Sequence, residues 1–178
     1  AVVTAEATAT TEVEPTATVE PMSVLMSEVD LGPLLVVDGD LPEHLDGELV
    51  EYDETFRFDR DDVAPADGLT SQAFYNLETE GPGGGVAVYV YEDETAAGQT
   101  YIAISTGMRG LLDEFWEDRD DVGQEARLEN NGNDNLHLAF LRCHAFVEVF
   151  MQTERETDIV RFAQRLDERL GAVVWPAG

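Results

Sequence analysis

Residues 136–151 constrain the fold more than any other stretch. Leu136–Arg142 and Ala145–Met151 are two β-prone runs separated only by Cys143 and His144. As a hairpin on a two-residue turn, they pair Arg142 with Ala145, Phe140 with Val147, Leu138 with Val149 and Leu136 with Met151. One face then carries Leu136, Leu138, Phe140, Val147, Val149 and Met151, all apolar. The other carries His137, Ala139, Leu141, Phe146, Glu148 and Phe150, a mixed set. A slip of one residue in one strand sends its whole apolar set to the wrong face, so the separation selects this register. Cys-His is unusual chemistry for a two-residue turn, which favours Asn and Gly, so a wider loop is the alternative.

The rest of the chain supplies partners for that hairpin. Val86–Tyr91 (VAVYVY) is the strongest strand signal and is apolar on both faces, which predicts a central strand. Ala97, Tyr101, Ile104, Met108, Leu111 and Phe115 form one helical stripe, capped by Asp93 or Thr95 and ending near Glu117–Asp121. Strand character recurs at Glu48–Phe58, at Thr70–Glu80 and at Glu125–Leu128, with a compact turn at Asn130–Asp134. Leu34–Val37 is a further short β-like run, and Leu41–Leu45 suits one helical turn. A last helix is expected from Thr157, as its cap, to Leu170, stopped by Gly171. Strands, helix, strands, helix with short late loops predict an α+β fold: an antiparallel sheet packed by a long central helix and a C-terminal helix.

Residues 1–27 are of another kind. The first 21 hold Thr, Ala, Glu, Val and Pro, with Val-Glu-Pro repeated at Val13–Pro15 and Val19–Pro21. Such a segment has too little apolar surface to offset its ordering entropy and reads as an extended, self-repelling stalk. Residues 28–178 make one α+β domain, of a size that holds one real core. The expectation is an exported, surface-held domain, anchored through a residue upstream of Ala1. The 178 residues include 38 acids and 10 bases, a net charge of −28, and every base is Arg. That field repels phosphate backbones and anionic lipid, which excludes nucleic acid as an expected partner. No apolar run is long enough for a membrane helix, so no membrane insertion of the domain is expected. The single cysteine, Cys143, forbids an internal disulfide.

Several stretches together resemble a family. They are Leu41-Pro42, Gly83–Tyr91 (GGGVAVYVY), Val122–Ala126 (VGQEA), Ala139–Arg142 with Phe146–Val149, and Ala163–Leu170 (AQRLDERL). With the stalk, this layout is similar to small exported bacterial domains of the PsbP/Mog1-like group, many of them lipoproteins of unknown function. The resemblance spans roughly residues 34–171 and implies the fold and an extracytoplasmic place. It carries no catalytic signature.

Chemistry-bearing residues are few. No G-x-S-x-G is present, and Cys143 and His144 diverge if extended. His44, His137 and His144 form no metal motif; on the hairpin register His137 and Glu148 are diagonal neighbours. Asp118–Glu129 partly matches a calcium loop, with acids at Asp118, Asp120 and Glu129 and a glycine at Gly123, so calcium is the candidate ion. Asp59, Asp61, Asp62 and Asp67 make a second acidic loop. The glycines at Gly81–Gly85 precede a strand, not the helix N-terminus that holds phosphate. Tyr89, Tyr91, Phe146 and Phe150 are candidate lining residues for a groove between sheet and helix. The leading expectation is a non-enzymatic domain that binds a small molecule or a protein. Alternatives are a structural homodimer through the hairpin face and a divalent-cation-dependent hydrolase.

Overall fold

The computed structural model describes residues 39–42, 47–51, 68–79, 83–107, 116–130, 132 and 134–175. The stalk, the Leu34–Val37 run, most of the Leu41–Leu45 turn, the strand reading beyond Glu51, the acidic loop around Asp59–Asp67 and His44 lie outside them. So does the helix stripe from Met108 to Phe115.

Seven strands form one antiparallel sheet. They are β1 (Gly47–Glu51), β2 (Leu69–Thr79), β3 (Gly84–Tyr91), β4 (Trp116–Arg119), β5 (Glu125–Asn130), β6 (Asn135–Arg142) and β7 (Ala145–Gln152). Their order is β1-β2-β3-β7-β6-β5-β4. Among the described residues two helices, α1 (Glu94–Gly107) and α2 (Glu156–Ala172), pack on the sheet in an α+β fold.

The hairpin register holds as read: Leu136 pairs with Met151, Leu138 with Val149, Phe140 with Val147 and Arg142 with Ala145. The turn is the two-residue one. Cys143 alone of its pair takes positive φ, +50°, as the first turn residue does in a type II′ turn. The backbone N–H of Cys143 donates to the Gln124 side-chain carbonyl, which braces this conformation from the neighbouring turn.

The two faces of that hairpin build two cores. Its apolar face packs with Val86, Val88 and Val90 of β3 against Ile159, Phe162, Ala163, Leu166 and Leu170 of α2. Its mixed face packs Ala139, Leu141 and Phe146 with Tyr91 against Ala96, Ala97, Tyr101 and Ile104 of α1. The helices therefore lie on opposite faces of the sheet. With both faces largely covered, β6 and β7 are interior strands. β3 is likewise interior, between β2 and β7, as its two apolar faces require.

Of the two caps expected for α1, Asp93 is the one used: its Oδ1 accepts from the Ala96 N–H at 2.8 Å. Asp93→Ala is expected to destabilise by about 1 kcal/mol, read by urea unfolding. The long helix does not run on to Glu117–Asp121, because Trp116–Arg119 is the edge strand β4, paired with β5. Acids there oppose the negative C-terminal end of a helix. In the strand they find arginines instead: Arg127 Nε donates to Asp118 at 2.7 Å, and Arg119 bonds both Asp121 and Glu156. At the other end, α2 begins at Glu156 with Arg155 as a cap residue that makes no side-chain bond, so Thr157 lies inside the first turn. Nor does Gly171 stop α2, which continues to Ala172. The Arg142 side chain lies against Gly171: a Cβ there would sit 2.6 Å from its mobile end, Nη2. Arg142 in turn reaches Asp167 at 3.2 Å, joining the hairpin to α2.

The chain entering β1 is fastened to α2. Arg169 donates two bonds to the Asp40 carboxylate, at 2.5 and 2.6 Å. Arg165 Nη1 donates to the carbonyls of Gly39 and Asp40 at 2.8 and 3.0 Å. Arg165 and Arg169, four apart on α2, thus form a clasp on the segment before β1.

Candidate functional site

Registers across the sheet place one transverse row on the face that carries α1. Trp116 pairs with Glu129, Glu129 with His137, His137 with Phe150, Phe150 with Gly85 and Gly85 with Asn76. This row holds the densest chemistry among the described residues. The His137 ring stacks on Phe150, with centroids 4.0 Å apart at 14° between planes, and meets Trp116 edge-on at 5.4 Å. Its Nδ1 lies 3.6 Å from Glu129 Oε2, and its Nε2 lies 3.2 Å from Glu148 Oε1. His137 and Glu148 are only 5% and 6% exposed, so both polar groups have left water. Trp116, Glu129 and Phe150 are half-buried and give this end of the row its access to solvent.

Local structure explains the convergence. Alternation in β6 and β7 puts His137 and Glu148 on the same face, offset by two residues, within reach for long side chains. Gly85, opposite Phe150, adds no side chain to the row. Tyr91 points its phenol into the same layer: burial pushes its pKa up, the Thr100 side chain lowers it, and the Glu148 charge raises it further. Arg127, one row away, is engaged by Asp118. The indole Nε1 of Trp116 is buried and has no hydrogen-bond partner among the described residues. A buried donor of that kind is satisfied by water or by a ligand acceptor.

Of the four aromatic residues proposed for a groove, Tyr91 and Phe146 have no exposed surface. Phe146 stacks on Tyr89 at 5.6 Å and meets Tyr101 of α1 edge-on at 6.2 Å. These three fill the contact between helix and sheet. Phe150 alone of the four lies in the polar row. Asp118, Asp120 and Glu129 spread over a hairpin rather than a loop: Asp118 in β4, Asp120 in the turn, Glu129 in β5. Gly123 takes positive φ, +65°, in that turn, where a Cβ would sit 2.6 Å from the Leu141 carbonyl. Among the described residues no group of three His, Cys, Asp or Glu side chains is placed to hold a metal ion.

The other described histidine, His144, and the cysteine sit at the opposite end of the sheet. His144 stacks on Trp175 at 5.4 Å and 6°, and Trp175 Nε1 donates to the Leu170 carbonyl at 3.2 Å, which docks the chain after α2 onto the hairpin tip. Burial pushes the Cys143 thiol up; Arg142 lowers it and Glu94 and Asp167 raise it. Less thiolate means a slower nucleophile. Cys143 in the folded chain is therefore expected to alkylate with iodoacetamide several-fold more slowly than free cysteine at about pH 8, followed by intact mass.

The sequence brings His137 and Glu148 together as diagonal neighbours, but points to Glu129 as a calcium ligand and to Phe150 as a groove residue. It misses Trp116, which it places at the end of a helix. The signal that unites them is the β5–β6 register, which the short Asn130–Asp134 turn determines through an Asx bond from the Gly132 N–H to Asn130 Oδ1 at 3.0 Å. No protein-family model and no curated protein matches the chain. Among the described residues no helix is long and apolar enough to cross a membrane.

Proposed function

We propose that this chain is a non-enzymatic binding domain, presented outside the cytoplasm on its N-terminal stalk. Its ligand site is the open end of the polar row: Trp116, Glu129, His137 and Phe150. The observation that carries this reading is the buried, unpartnered Trp116 Nε1 beside a half-buried carboxylate and a stacked ring pair. An indole N–H asks for an acceptor and Glu129 for a donor, while the ring faces offer apolar contact. A small polar molecule with a hydroxyl or amide beside an apolar edge meets all three demands. The placement outside the cytoplasm rests on the composition of residues 1–21 and on the PsbP/Mog1-like resemblance, both of which also suit a lipid-anchored protein. Melting of the full chain with sugars, amino acids and small amides, each at millimolar concentration, tests the reading. One class is expected to raise the midpoint saturably, because a ligand that binds only the folded state stabilises it. A midpoint unmoved by every class counts against a small-molecule site.

A further inference from the structure

The open end of the polar row is short of positive charge. Along the row, from Trp116 to Asn76, Glu129 is the acid and His137 the only base. The next row on the same face pairs Asp118 with Arg127, Arg127 with Ala139 and Ala139 with Glu148. Over these two rows three carboxylates meet one guanidinium and one imidazole. Arg127 is already held by Asp118 at 2.7 Å. Glu129 and Glu148 remain on either side of the His137 ring, at 3.6 and 3.2 Å. Protonated, that ring balances one of the two; neutral, it balances neither. α1, packed on the same face, brings no Lys or Arg.

We infer, on the basis of the site proposed above, that its ligand is a small organic cation: a protonated amine that also carries a hydroxyl or carbonyl oxygen. The ammonium lies against Glu129, whose side chain is 14% exposed, and makes a charge-assisted hydrogen bond there. The oxygen accepts from Trp116 Nε1, the buried donor that has no partner among the described residues. Trp116 and Glu129 pair directly across β4 and β5, so one small molecule reaches both.

The rings favour the same class. The faces of Trp116 and Phe150 carry the negative side of the ring quadrupole, which attracts a cation and repels an anion. An anionic ligand adds another negative charge to a layer that has largely left water. A bare metal ion gives the indole N–H no acceptor. The net charge of −28 draws cations toward the chain from a distance.

Isothermal titration calorimetry of the full chain with matched compounds tests this. Ethanolamine, leucinol and glucosamine are each titrated beside the compound in which a hydroxyl replaces the amine, at about pH 7, where the amines carry charge. One amine is expected to bind about tenfold tighter or more than its counterpart, and molar sodium chloride is expected to narrow that gap. Glu129→Gln is expected to bring the amine within about twofold of its counterpart, since the amide keeps the shape and loses the charge. Glu168→Lys, on the exposed side of α2, alters the net charge by more and is expected to leave amine binding within about twofold, which separates the site from the field of the whole chain. Counterparts that bind as tightly as the amines leave the site standing and overturn the inference. So does a preference for the amine that survives Glu129→Gln. Saturable binding by neither amines nor counterparts overturns the inference and the site together.

Discussion

Replacing His137 with leucine is expected to destabilise the fold by about 2–4 kcal/mol. Leucine fills much of the ring's space but presents no N–H to either carboxylate. Glu129 and Glu148 then share a largely buried layer without the group that stands between them. Removing one member of a buried polar set costs more than the set contributes, because the members left behind have already lost their water. The loss of the stack on Phe150 at 4.0 Å adds to it. Urea unfolding measures the effect. Adding Glu148→Gln to the leucine variant is expected to recover part of the loss, since an amide tolerates burial better than a carboxylate. A leucine variant within 0.5 kcal/mol of the parent, on the order of an ordinary surface change, would show that the two carboxylates do not depend on the ring.

Arg169→Ala is expected to cost a similar amount, about 3 kcal/mol. It strips both short bonds from the Asp40 carboxylate, whose side chain is only 6% exposed. Arg165, 3.8 Å from the same carboxylate, compensates in part by charge but not by the two-pronged geometry. Arg169→Lys is expected to fall between the two, keeping the charge and losing the fork. Hydrogen exchange separates this from a general loss of stability. The amides around Gly39–Leu41 are expected to exchange faster in Arg169→Ala, while those of β3 and β7 change only with global unfolding. The clasp thus fixes Gly39 and Asp40 at a defined point on α2.

Much of the fold was legible because the chain's apolar residues are periodic where they are buried. The β6–β7 register came from one alternating pattern, and the centrality of β3 from apolar side chains on both its faces. What the sequence hid was set by long-range partners. Trp116–Arg119 reads as the tail of a helix by spacing; it is a strand because β5 offers it a ladder and Arg127 of β5 offers its Asp118 a partner. Gly171 reads as a helix stop because local chemistry cannot reveal Arg142 lying against it. The same limit governed the site. Tyr91 and Phe146 are aromatic like any groove residue, and only the packing of α1 shows them filled in. Trp116, Glu129, His137 and Phe150 come from four strands, and no segment of sequence holds two of the pairings that join them.

The most direct test of the binding site uses Trp116 as its own reporter. The chain has two tryptophans, so Trp175→Phe leaves Trp116 alone to be observed. Its emission is titrated with whichever class of compound raises the melting midpoint, in that chain and in the same chain carrying Glu129→Gln. The account predicts a saturable change in Trp116 emission that weakens at least tenfold, about 1.4 kcal/mol, with Glu129→Gln. Binding that leaves Trp116 emission unchanged, or that Glu129→Gln does not weaken, would contradict it and place the ligand elsewhere on the chain.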